Sequence, residues 1–292
     1  MDARADDFAS SRPLLFAIAY RMLGSVMDAE DLVQDAYLRW QAAPEAEVRS
    51  PRAFLATIVT RLAINRLRSA RQRREAYIGP WLPEPLMADT APDPSGPVEL
   101  AESLSMAFLL LLERLSPVER AVFLLREVFD FEFGEIAPIV DKTEANCRQL
   151  LARARKHLGA PRPRFPAHSA RAAEMVRRFT DAARQGDMEG FLALLAEDIT
   201  LWADTDGRVP GAARKPVRGA TAVAKALARG AARFAPAEAV IRQAEINGQP
   251  GLVAYLAGRP MGALILDIRG NRIHTIYAIG NPDKLRGLPP VS

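Results

Sequence analysis

The feature that most constrains the fold of this chain is the stretch 50–74, whose first half is apolar and whose second half is rich in arginine. Ser50 can cap a helix, and Pro51 suits the first helical position, where its missing N–H costs nothing. The apolar half predicts burial between other helices, and the arginine half, with no Asp or Glu, suits a phosphate backbone. A solvent-exposed charged face that leads into a linker would show the same pattern, so this stretch alone leaves both interpretations open.

Length and residue usage narrow the class of protein. With 292 residues the chain is long enough for two or three domains, and its single cysteine excludes an internal disulfide, so we expect a cytoplasmic setting. The cysteine and three histidines lack metal-ligand spacing, and no apolar run reaches the length of a membrane span, so we expect neither a metal nor membrane association. Acidic residues exceed basic ones by one up to residue 167, whereas basic residues exceed acidic ones by five thereafter. This segregation argues against a nonspecific polycation.

The helix before the arginine stretch combines a buried face with an acidic outer face. Asp28 is its expected cap, and Glu30 and Asp31 in the first turn favour the positive end of the helix dipole. Such a face suits a basic protein partner, which a simple DNA-binding repressor does not need. The residues expected on this face are Asp31, Gln34, Asp35, Leu38 and Arg39.

After a helix predicted up to Val128, the sequence predicts a short helix at 132–140, a turn at 141–142 and a basic helix that ends at Leu158. Ser116-Pro117-Val118-Glu119 has the composition of a helix start, and Thr143 can cap the last helix. In a helix-turn-helix the second helix enters the major groove, where Arg148 could read guanine and Gln149 adenine. Later basic residues suit phosphate: Arg153, Arg155 and Lys156. Any amphipathic helical hairpin gives a similar pattern, so that alternative stays open.

A proline-rich linker covers residues 75–97. Part of it is too apolar for a solvated tether, so we expect this part to lie in a groove; the alternative is a flexible linker with incidental aromatics. The apolar residues concerned are Tyr77, Ile78, Trp81, Leu82 and Leu86.

A second linker, 160–167, precedes a domain of a different kind. Helices, a strand at 199–203 and four closing strands predict helices on one curved antiparallel sheet, an α+β cone with an internal cavity. Two-residue hairpin signals stand at Asn247-Gly248, Gly258-Arg259 and Gly270-Asn271.

The order of these elements resembles a bacterial sigma factor of the extracytoplasmic-function class. The segments that carry the resemblance are 19–25, 28–35, 50–68 and 151–158. The linker motif at 79–85 and the sequence Asn-Pro-Asp-Lys-Leu at 281–285 are similar to a subgroup with a fused C-terminal SnoaL-like domain. The resemblance implies a multidomain fold of two all-α sigma domains, the second a helix-turn-helix, followed by an α+β cone-shaped SnoaL-like domain. The implied parts are a region-two domain at 1–74, a linker at 75–97, a region-four domain at 98–159, a linker at 160–167 and the SnoaL-like domain at 168–292.

The resemblance also implies a function without enzymatic activity, metal or cofactor. The chain would bind core RNA polymerase through the clamp helices of the largest subunit and the flap, recognise minus-thirty-five and minus-ten promoter elements, and melt the DNA. The helix face at 31–39 would contact the clamp, and the loop 42–49 with the start of the arginine helix would hold a base flipped from the minus-ten element. The residues implied to contact promoter DNA are Arg52, Arg61, Asn65, Arg66, Arg68, Arg71, Lys142, Glu144, Arg148, Gln149, Arg153, Arg155 and Lys156.

The C-terminal domain would regulate this activity in place of a separate anti-sigma protein. The residues implied in regulation are Trp81, Leu82, Pro83, Asp204, Gly207, Arg208, Asn281, Pro282, Asp283, Lys284 and Leu285. The subgroup's triple-glycine loop appears here with two glycines replaced, at 204–208, which leaves the role of this loop open.

Two other functions stay open at this point. One is a helix-turn-helix regulator with a domain that senses a small ligand. The other is a SnoaL-type enzyme with a DNA-binding tether, which would need polar groups in the cavity. The candidates for such groups are Trp202, Asp204, Tyr255, Asp267 and His274.

Overall fold

The computed structural model describes residues 3–44, 48, 50–75, 77–87, 104–159, 170–209, 211–234, 236 and 238–291, without the side chains of residues 3, 70–75, 170 and 231–234. The chain forms two compact units. The helical unit comprises Met1–Glu75, Pro92–Ser103 and Ala107–Arg162. The sheet unit comprises Ala76–Ala91, Leu104–Met106 and Pro163–Ser292, so the first part of the linker belongs to the sheet unit. Predicted elements at 98–103 and the linker at 160–167 lie outside the described residues.

The described residues of the helical unit form seven helices. The first residue of one of these helices, Met106, belongs to the sheet unit. The helices are α1 (Ala3–Leu23), α2 (Val26–Ala42), α3 (Pro51–Glu75), α4 (Met106–Leu112), α5 (Pro117–Glu127), α6 (Phe133–Val140) and α7 (Glu144–Leu158). The predicted cap of α2 was wrong by three residues. Ser25 is the N-cap and its hydroxyl accepts from the Asp28 N–H, because the extended backbone needed at a cap occurs at Ser25.

The arginine helix α3 is buried along its first half, as predicted. Leu55, Val59 and Ala63 are each 0% exposed, and α1 and α2 both pack against this helix. Its Ser50 cap is present, with the hydroxyl accepting from the Ala53 N–H at 3.4 Å. The apolar residues therefore fix α3 in a three-helix core and leave Arg61, Asn65 and Arg68 exposed.

Helices α5 to α7 form the predicted helix-turn-helix arrangement. The Ser116–Glu119 capping box closes the start of α5, and Thr143 caps α7 by accepting from the Asn146 N–H. Asp141 ends α6 in the left-handed conformation with φ 55°, which turns the chain sharply into α7. Pro138 lies within α6, and the helix continues through it to Val140.

The sheet unit contains helices α8 (Ala170–Gln185), α9 (Met188–Leu194), α10 (Ala220–Phe234) and α11 (Pro282–Leu285). Its strands are β1 (Leu195–Asp204), β2 (Val217–Arg218), β3 (Val240–Ile246), β4 (Gln249–Leu256), β5 (Arg259–Arg269) and β6 (Arg272–Ile279). They form one sheet in the order β2-β1-β6-β5-β4-β3.

The prediction of a purely antiparallel sheet was wrong at one pair. Strands β1 and β6 are parallel, because β1 is separated from the β3–β6 meander by α10 and enters the sheet from the same end as β6. The β4–β5 turn lies at Ala257-Gly258, one residue before the predicted position, and both residues have positive φ there. The strand predicted at 199–203 begins at Leu195, directly after α9.

One face of the sheet carries the apolar core of this unit. Side chains from α8, α9 and α10, including Phe179, Phe191 and Val223, pack with Leu201 and Leu266 of the sheet. Because side chains alternate along a strand, neighbours of these strand residues point to the opposite face. Asp204, on that opposite face, accepts from the Leu82 N–H of the linker.

Candidate functional site

The acidic face of α2 is exposed as predicted. Asp31, Gln34, Asp35, Leu38 and Arg39 are all solvent-exposed, and Leu38 has 58% of its surface accessible. The other face of α2 is buried, including Leu32 and Trp40. An exposed leucine among carboxylates is a composition suited to a protein partner.

The arginine helix presents two kinds of polar residue. Asn65 and Arg68 are exposed, whereas Arg66 forms ion pairs with Asp28 at 2.9 Å and Asp31 at 3.3 Å. The side chain of Arg71 lies outside the described residues, as do residues 45–47 and 49 of the loop assigned to the flipped base. Arg66 thus links the predicted DNA surface to the acidic face of α2.

Two further arginines of α3 contact the helix-turn-helix. Arg61 donates from Nε to the Ile139 carbonyl at 3.1 Å and from Nη2 to the Pro138 carbonyl at 2.7 Å. The Arg52 guanidinium lies 5.5 Å from the centroid of the Phe131 ring. A cation at the last carbonyls of a helix is favourable because these carbonyls have no partner within the helix. Sequence reasoning assigned both arginines to DNA and did not foresee these intramolecular contacts.

The outer face of α7 is exposed as predicted. Arg148 pairs with Glu144 at 2.8 Å and lies over the Phe133 ring at 4.8 Å, and Arg155 pairs with Glu127 at 2.6 Å. Exposed ion pairs contribute about 0–1 kcal/mol, so they can exchange for phosphate at little cost. The remaining residues assigned to DNA on this hairpin are also exposed: Lys142, Gln149, Arg153 and Lys156.

The buried face of α7 contains the single cysteine of the chain. Cys147 is 0% exposed, and burial raises the pKa of its thiol. A thiol that stays protonated is a poor nucleophile, so Cys147 acts as a small apolar residue in the packing of α7.

In the sheet unit, one buried carboxylate accepts hydrogen bonds from both the linker and the C-terminal segment. Asp204, 0% exposed at the end of β1, accepts from the Leu82 N–H at 2.7 Å and from Lys284 Nζ at 2.6 Å. It also accepts from the Tyr77 hydroxyl, which in turn accepts from the Asn281 amide at 2.8 Å. We call these five residues, Tyr77, Leu82, Asp204, Asn281 and Lys284, the linker clasp.

The charged groups of the linker clasp are buried and paired with one another or with neighbouring polar groups. The side chain of Lys284 is 8% exposed, donates to the Leu82 carbonyl, and has its Nζ 4.3 Å from the Trp81 ring and 5.0 Å from the Tyr77 ring. Burial, and then the bond to Asp204, raise the pKa of Tyr77, so its hydroxyl stays protonated and keeps donating. Lys284 therefore has a carboxylate, a carbonyl and two aromatic faces as partners.

The altered loop 204–208 still contacts the linker. The Ile78 N–H donates to Asp206 at 3.4 Å, and Gly207 has φ 68° with so little space that a Cβ would lie 3.0 Å from Ile78. Arg208 pairs with Asp283 at 2.5 Å on the surface. The loop therefore keeps a linker-facing glycine and a basic residue that pairs with the C-terminal segment, although two glycines are replaced.

A second set of contacts holds the linker at the β3–β4 turn. Asn247 accepts from the Leu86 N–H at 3.1 Å and donates to the Leu104 carbonyl at 3.2 Å. The Gln249 side chain accepts from the Met106 N–H at 2.8 Å. Sequence reasoning missed both residues, because Asn247-Gly248 carried the signal of a hairpin turn and nothing else.

The expectation that the linker lies in a groove is confirmed for its middle. Leu82 is 0% exposed, Leu86 is 5% exposed, Pro83 is buried, and Tyr77 and Trp81 are half-buried. The expectation was wrong for Ile78, which is 47% exposed and covers the Gly207 loop with part of its side chain.

The polar residues proposed for a cavity enzyme do not converge on the helix-covered face. By alternation from Leu201, Leu252 and Leu266 of the core, the following residues point to the opposite face: Trp202, Asp204, Tyr255 and Asp267. Asp267 is 0% exposed and pairs with Arg269 at 2.8 Å, and burial raises the pKa of its carboxyl. His274 lies 3.9 Å from Asp198.

No helix in the described part of the chain combines the length and apolarity that a bilayer crossing requires. Within the same residues, no group of three or more side chains of the types that ligate metals comes together.

Comparison with known proteins identifies three matching families. Residues 8–74 match Sigma-70 region 2, residues 105–158 match Sigma-70 region 4, and residues 176–274 match the SnoaL-like domain. The ECF RNA polymerase sigma factor SigJ of Mycobacterium tuberculosis is 38% identical over 299 residues, which cover 97% of this chain and 93% of SigJ. The probable ECF sigma factor SigI of the same species is 30% identical, covering 94% of this chain and 92% of SigI.

A solved structure agrees with the fold. The crystal structure of the M. tuberculosis extracytoplasmic function sigma factor SigJ matches with a TM-score of 0.75 and 34% identity, covering 99% of this chain and 100% of that chain. The match extends over the helical sigma domains and the C-terminal domain with its mixed sheet.

Proposed function

The chain belongs to the extracytoplasmic-function RNA polymerase sigma factors and is an alternative sigma factor with a C-terminal SnoaL-like domain, and from this premise we propose how its parts act. The helical unit binds core RNA polymerase and promoter DNA in the cytoplasm. The SnoaL-like domain tunes this activity by holding the linker between the two promoter-reading regions, and it does so without catalysing a reaction.

Binding to core polymerase is assigned to α2. The five exposed residues at 31–39 would contact the clamp helices of the largest subunit, while the region-four domain would contact the flap. Complementary charge steers such an encounter and excludes partners of the wrong sign. Because Leu38 is exposed among carboxylates, we expect it to bury apolar surface at the centre of this interface.

Promoter recognition is assigned to α3 and α7. Asn65 and Arg68 are exposed and can bind the separated DNA strands directly. Arg66 must break its ion pairs with carboxylates before it can bind DNA. Arg52 and Arg61 contact the helix-turn-helix, so they too would exchange partners when DNA binds. On α7, Arg148 and Gln149 would read the minus-thirty-five element. Extruding a base at the minus-ten element costs a few kcal/mol, which a pocket and backbone contacts would supply.

Tuning by the SnoaL-like domain is supported by one observation above all. A single buried carboxylate, Asp204, accepts bonds from two linker residues, Tyr77 and Leu82, and from Lys284 of the C-terminal segment. Removing the C-terminal segment would leave this carboxylate buried without its cation, so the hold on the linker depends on it. The carboxylate that a SnoaL-type enzyme could use is thus committed to the linker.

A truncation experiment tests the regulatory assignment. A chain that ends at Gly280 lacks Asn281 and Lys284, and a chain that ends at Leu288 keeps both and serves as the matched control. Transcription from a cognate promoter by purified core polymerase should change with the first chain and stay at the wild-type level with the second. Equal output from both chains would refute the regulatory role.

Polymerase binding is tested by charge reversal. Replacing Asp31 and Asp35 by lysine should reduce binding of the chain to purified core polymerase at least tenfold, because two attractive charge contacts become repulsive. Replacing Glu174, an exposed carboxylate of the SnoaL-like domain, by lysine is the control. Unchanged binding of the double variant would refute the assignment of α2 to the clamp.

A further inference from the structure

The β3–β4 turn contacts the linker through one buried side chain. Asn247 is 1% exposed and adopts the left-handed backbone conformation, with φ 55°. Its oxygen accepts from the Leu86 N–H, its backbone N–H donates to the Leu86 carbonyl at 2.7 Å, and Met87 forms an antiparallel bridge with Ile246. Residues 86–87 therefore extend the sheet for a short distance at the edge strand β3.

The same side chain also contacts the chain at the start of α4. The Asn247 amide donates to the Leu104 carbonyl at 3.2 Å, and Gln249, two residues on, accepts from the N–H of Met106. Both of these donor–acceptor pairs involve buried or half-buried backbone, where an unmade hydrogen bond is costly. One side chain, that of Asn247, therefore bonds the backbone at both Leu86 and Leu104.

We propose that Asn247 and Gln249 form a second linker-binding site, which fastens both ends of the segment 88–103 and so shortens the reach between the two promoter-reading regions. This inference rests on the proposed function, because the reach matters to transcription only if α3 and α7 read separate promoter elements. The site is distinct from the linker clasp, which holds residues 77 and 82 at strand β1, four strands away from β3 in the sheet.

The lengths involved make the effect large. The connection from the end of α3 to the start of α4 has about 30 residues, which span at most about 100 Å when extended. Fastening its residues at 86 and 104 removes about 17 of them, or about 55 Å, from that span. The minus-thirty-five and minus-ten elements are about 25 base pairs, or about 85 Å, apart along the duplex. The fastened connection can therefore span less than the distance between the two promoter elements, whereas the released connection can span more than that distance.

Asparagine suits this position for two separate reasons. It tolerates the left-handed conformation better than other residues with a side chain, and its amide both donates and accepts. Aspartate at position 247 keeps the acceptor for the Leu86 N–H but loses the donor to the Leu104 carbonyl. Glycine keeps the backbone conformation and loses both bonds.

These differences define the test, which uses the full-length chain. Hydrogen exchange of the Leu86 and Met106 amides is measured in wild type, Asn247→Gly, Asn247→Asp and Gln249→Ala. Asn247→Gly should speed exchange at Leu86 roughly tenfold or more, and Asn247→Asp should largely spare Leu86. Gln249→Ala removes the acceptor of the Met106 N–H and should speed exchange at Met106. The control is Asn271→Gly in the exposed β5–β6 turn, which should leave both amides unchanged. Unchanged protection at both amides in Asn247→Gly would overturn the assignment of the site.

The consequence for reach is measured on promoters whose spacer is lengthened or shortened by one to four base pairs. With purified core polymerase, the wild type should favour a narrow range of spacers, and Asn247→Gly should transcribe the off-length promoters several-fold better relative to the optimum. An unchanged spacer profile in a variant whose Leu86 amide exchanges faster would overturn the proposal. If truncation at Gly280 also leaves transcription unchanged, the regulatory function fails, whereas the exchange data still decide whether the site exists.

Discussion

Replacing Lys284 by methionine should open the linker clasp. Methionine keeps most of the apolar stem of lysine but removes the ammonium group that lies 2.6 Å from Asp204. Both side chains are buried, 8% and 0% exposed, and removing one partner of a buried pair costs about 3–5 kcal/mol. Tyr77 and Leu82 still donate to the carboxylate, so we take the lower end, about 3 kcal/mol.

Hydrogen exchange at one amide reports this opening directly. The Leu82 N–H donates to Asp204, so it exchanges when the clasp opens. A loss of about 3 kcal/mol predicts roughly 150-fold faster exchange, at 1.36 kcal/mol for each factor of ten. Lys215→Met, at an exposed position, is the control and should leave this amide unchanged. Exchange within threefold of wild type in Lys284→Met would show that the lysine does not hold the clasp closed.

A double variant separates charge burial from packing. Asp204→Asn combined with Lys284→Met removes both charges, so no uncompensated ion stays buried and the Leu82 amide should recover most of its protection. If the double variant exchanges as fast as Lys284→Met alone, lost packing of the lysine stem, and not the orphaned carboxylate, explains the effect.

Three further predictions concern single positions. Because the pKa of Tyr77 is raised in the folded chain, its neutral hydroxyl stabilises the fold below the ordinary tyrosine pKa of about 10, and this contribution is lost as pH rises through the higher folded value. Absorbance titration of wild type against Tyr77→Phe should show no tyrosinate from Tyr77 near pH 10. Ionisation of Tyr77 near pH 10 would contradict this prediction. Gly207→Ala should lower the free energy of unfolding by about 1–2 kcal/mol, because alanine is strained in the left-handed backbone conformation. It should also speed hydrogen exchange of the Ile78 amide, because the new Cβ would lie 3.0 Å from the Ile78 side chain. Unaltered exchange would count against this contact. Ser116→Ala should destabilise the helical unit by about 1 kcal/mol in urea, because the capping box with Glu119 is lost.

The helical elements followed from the sequence because local signals and packing agree there. Ser116 and Thr143 are caps in the structure as predicted, and the apolar half of α3 is buried. The α2 cap was misplaced because Ser25 and Asp28 are both good capping residues, and the choice depends on backbone angles that the sequence does not reveal. The parallel β1–β6 pair escaped prediction because pairing of distant strands depends on tertiary packing.

The candidate site was predicted in part. The family motifs pointed to Asp204, Asn281 and Lys284, but the partners of Asp204 within the linker were not predictable, because hydrogen bonds between residues more than a hundred positions apart leave no periodic signal. Asn247 carried a turn signal that masked its second role. In physical terms, propensity and pattern determine elements, whereas the polar contacts between them depend on the assembled fold.

Transcription by holoenzyme with an open clasp shows whether the SnoaL-like domain restrains initiation through the linker. Purified core polymerase is combined with wild-type chain, Lys284→Met or the Lys215→Met control, and run-off transcript from a cognate promoter is measured at saturating sigma factor. We expect several-fold higher output for Lys284→Met, because a released linker lets both promoter-reading regions engage, and wild-type output for Lys215→Met. Equal output from all three chains, with the Leu82 amide of Lys284→Met shown to exchange faster, would mean that the clasp does not control transcription.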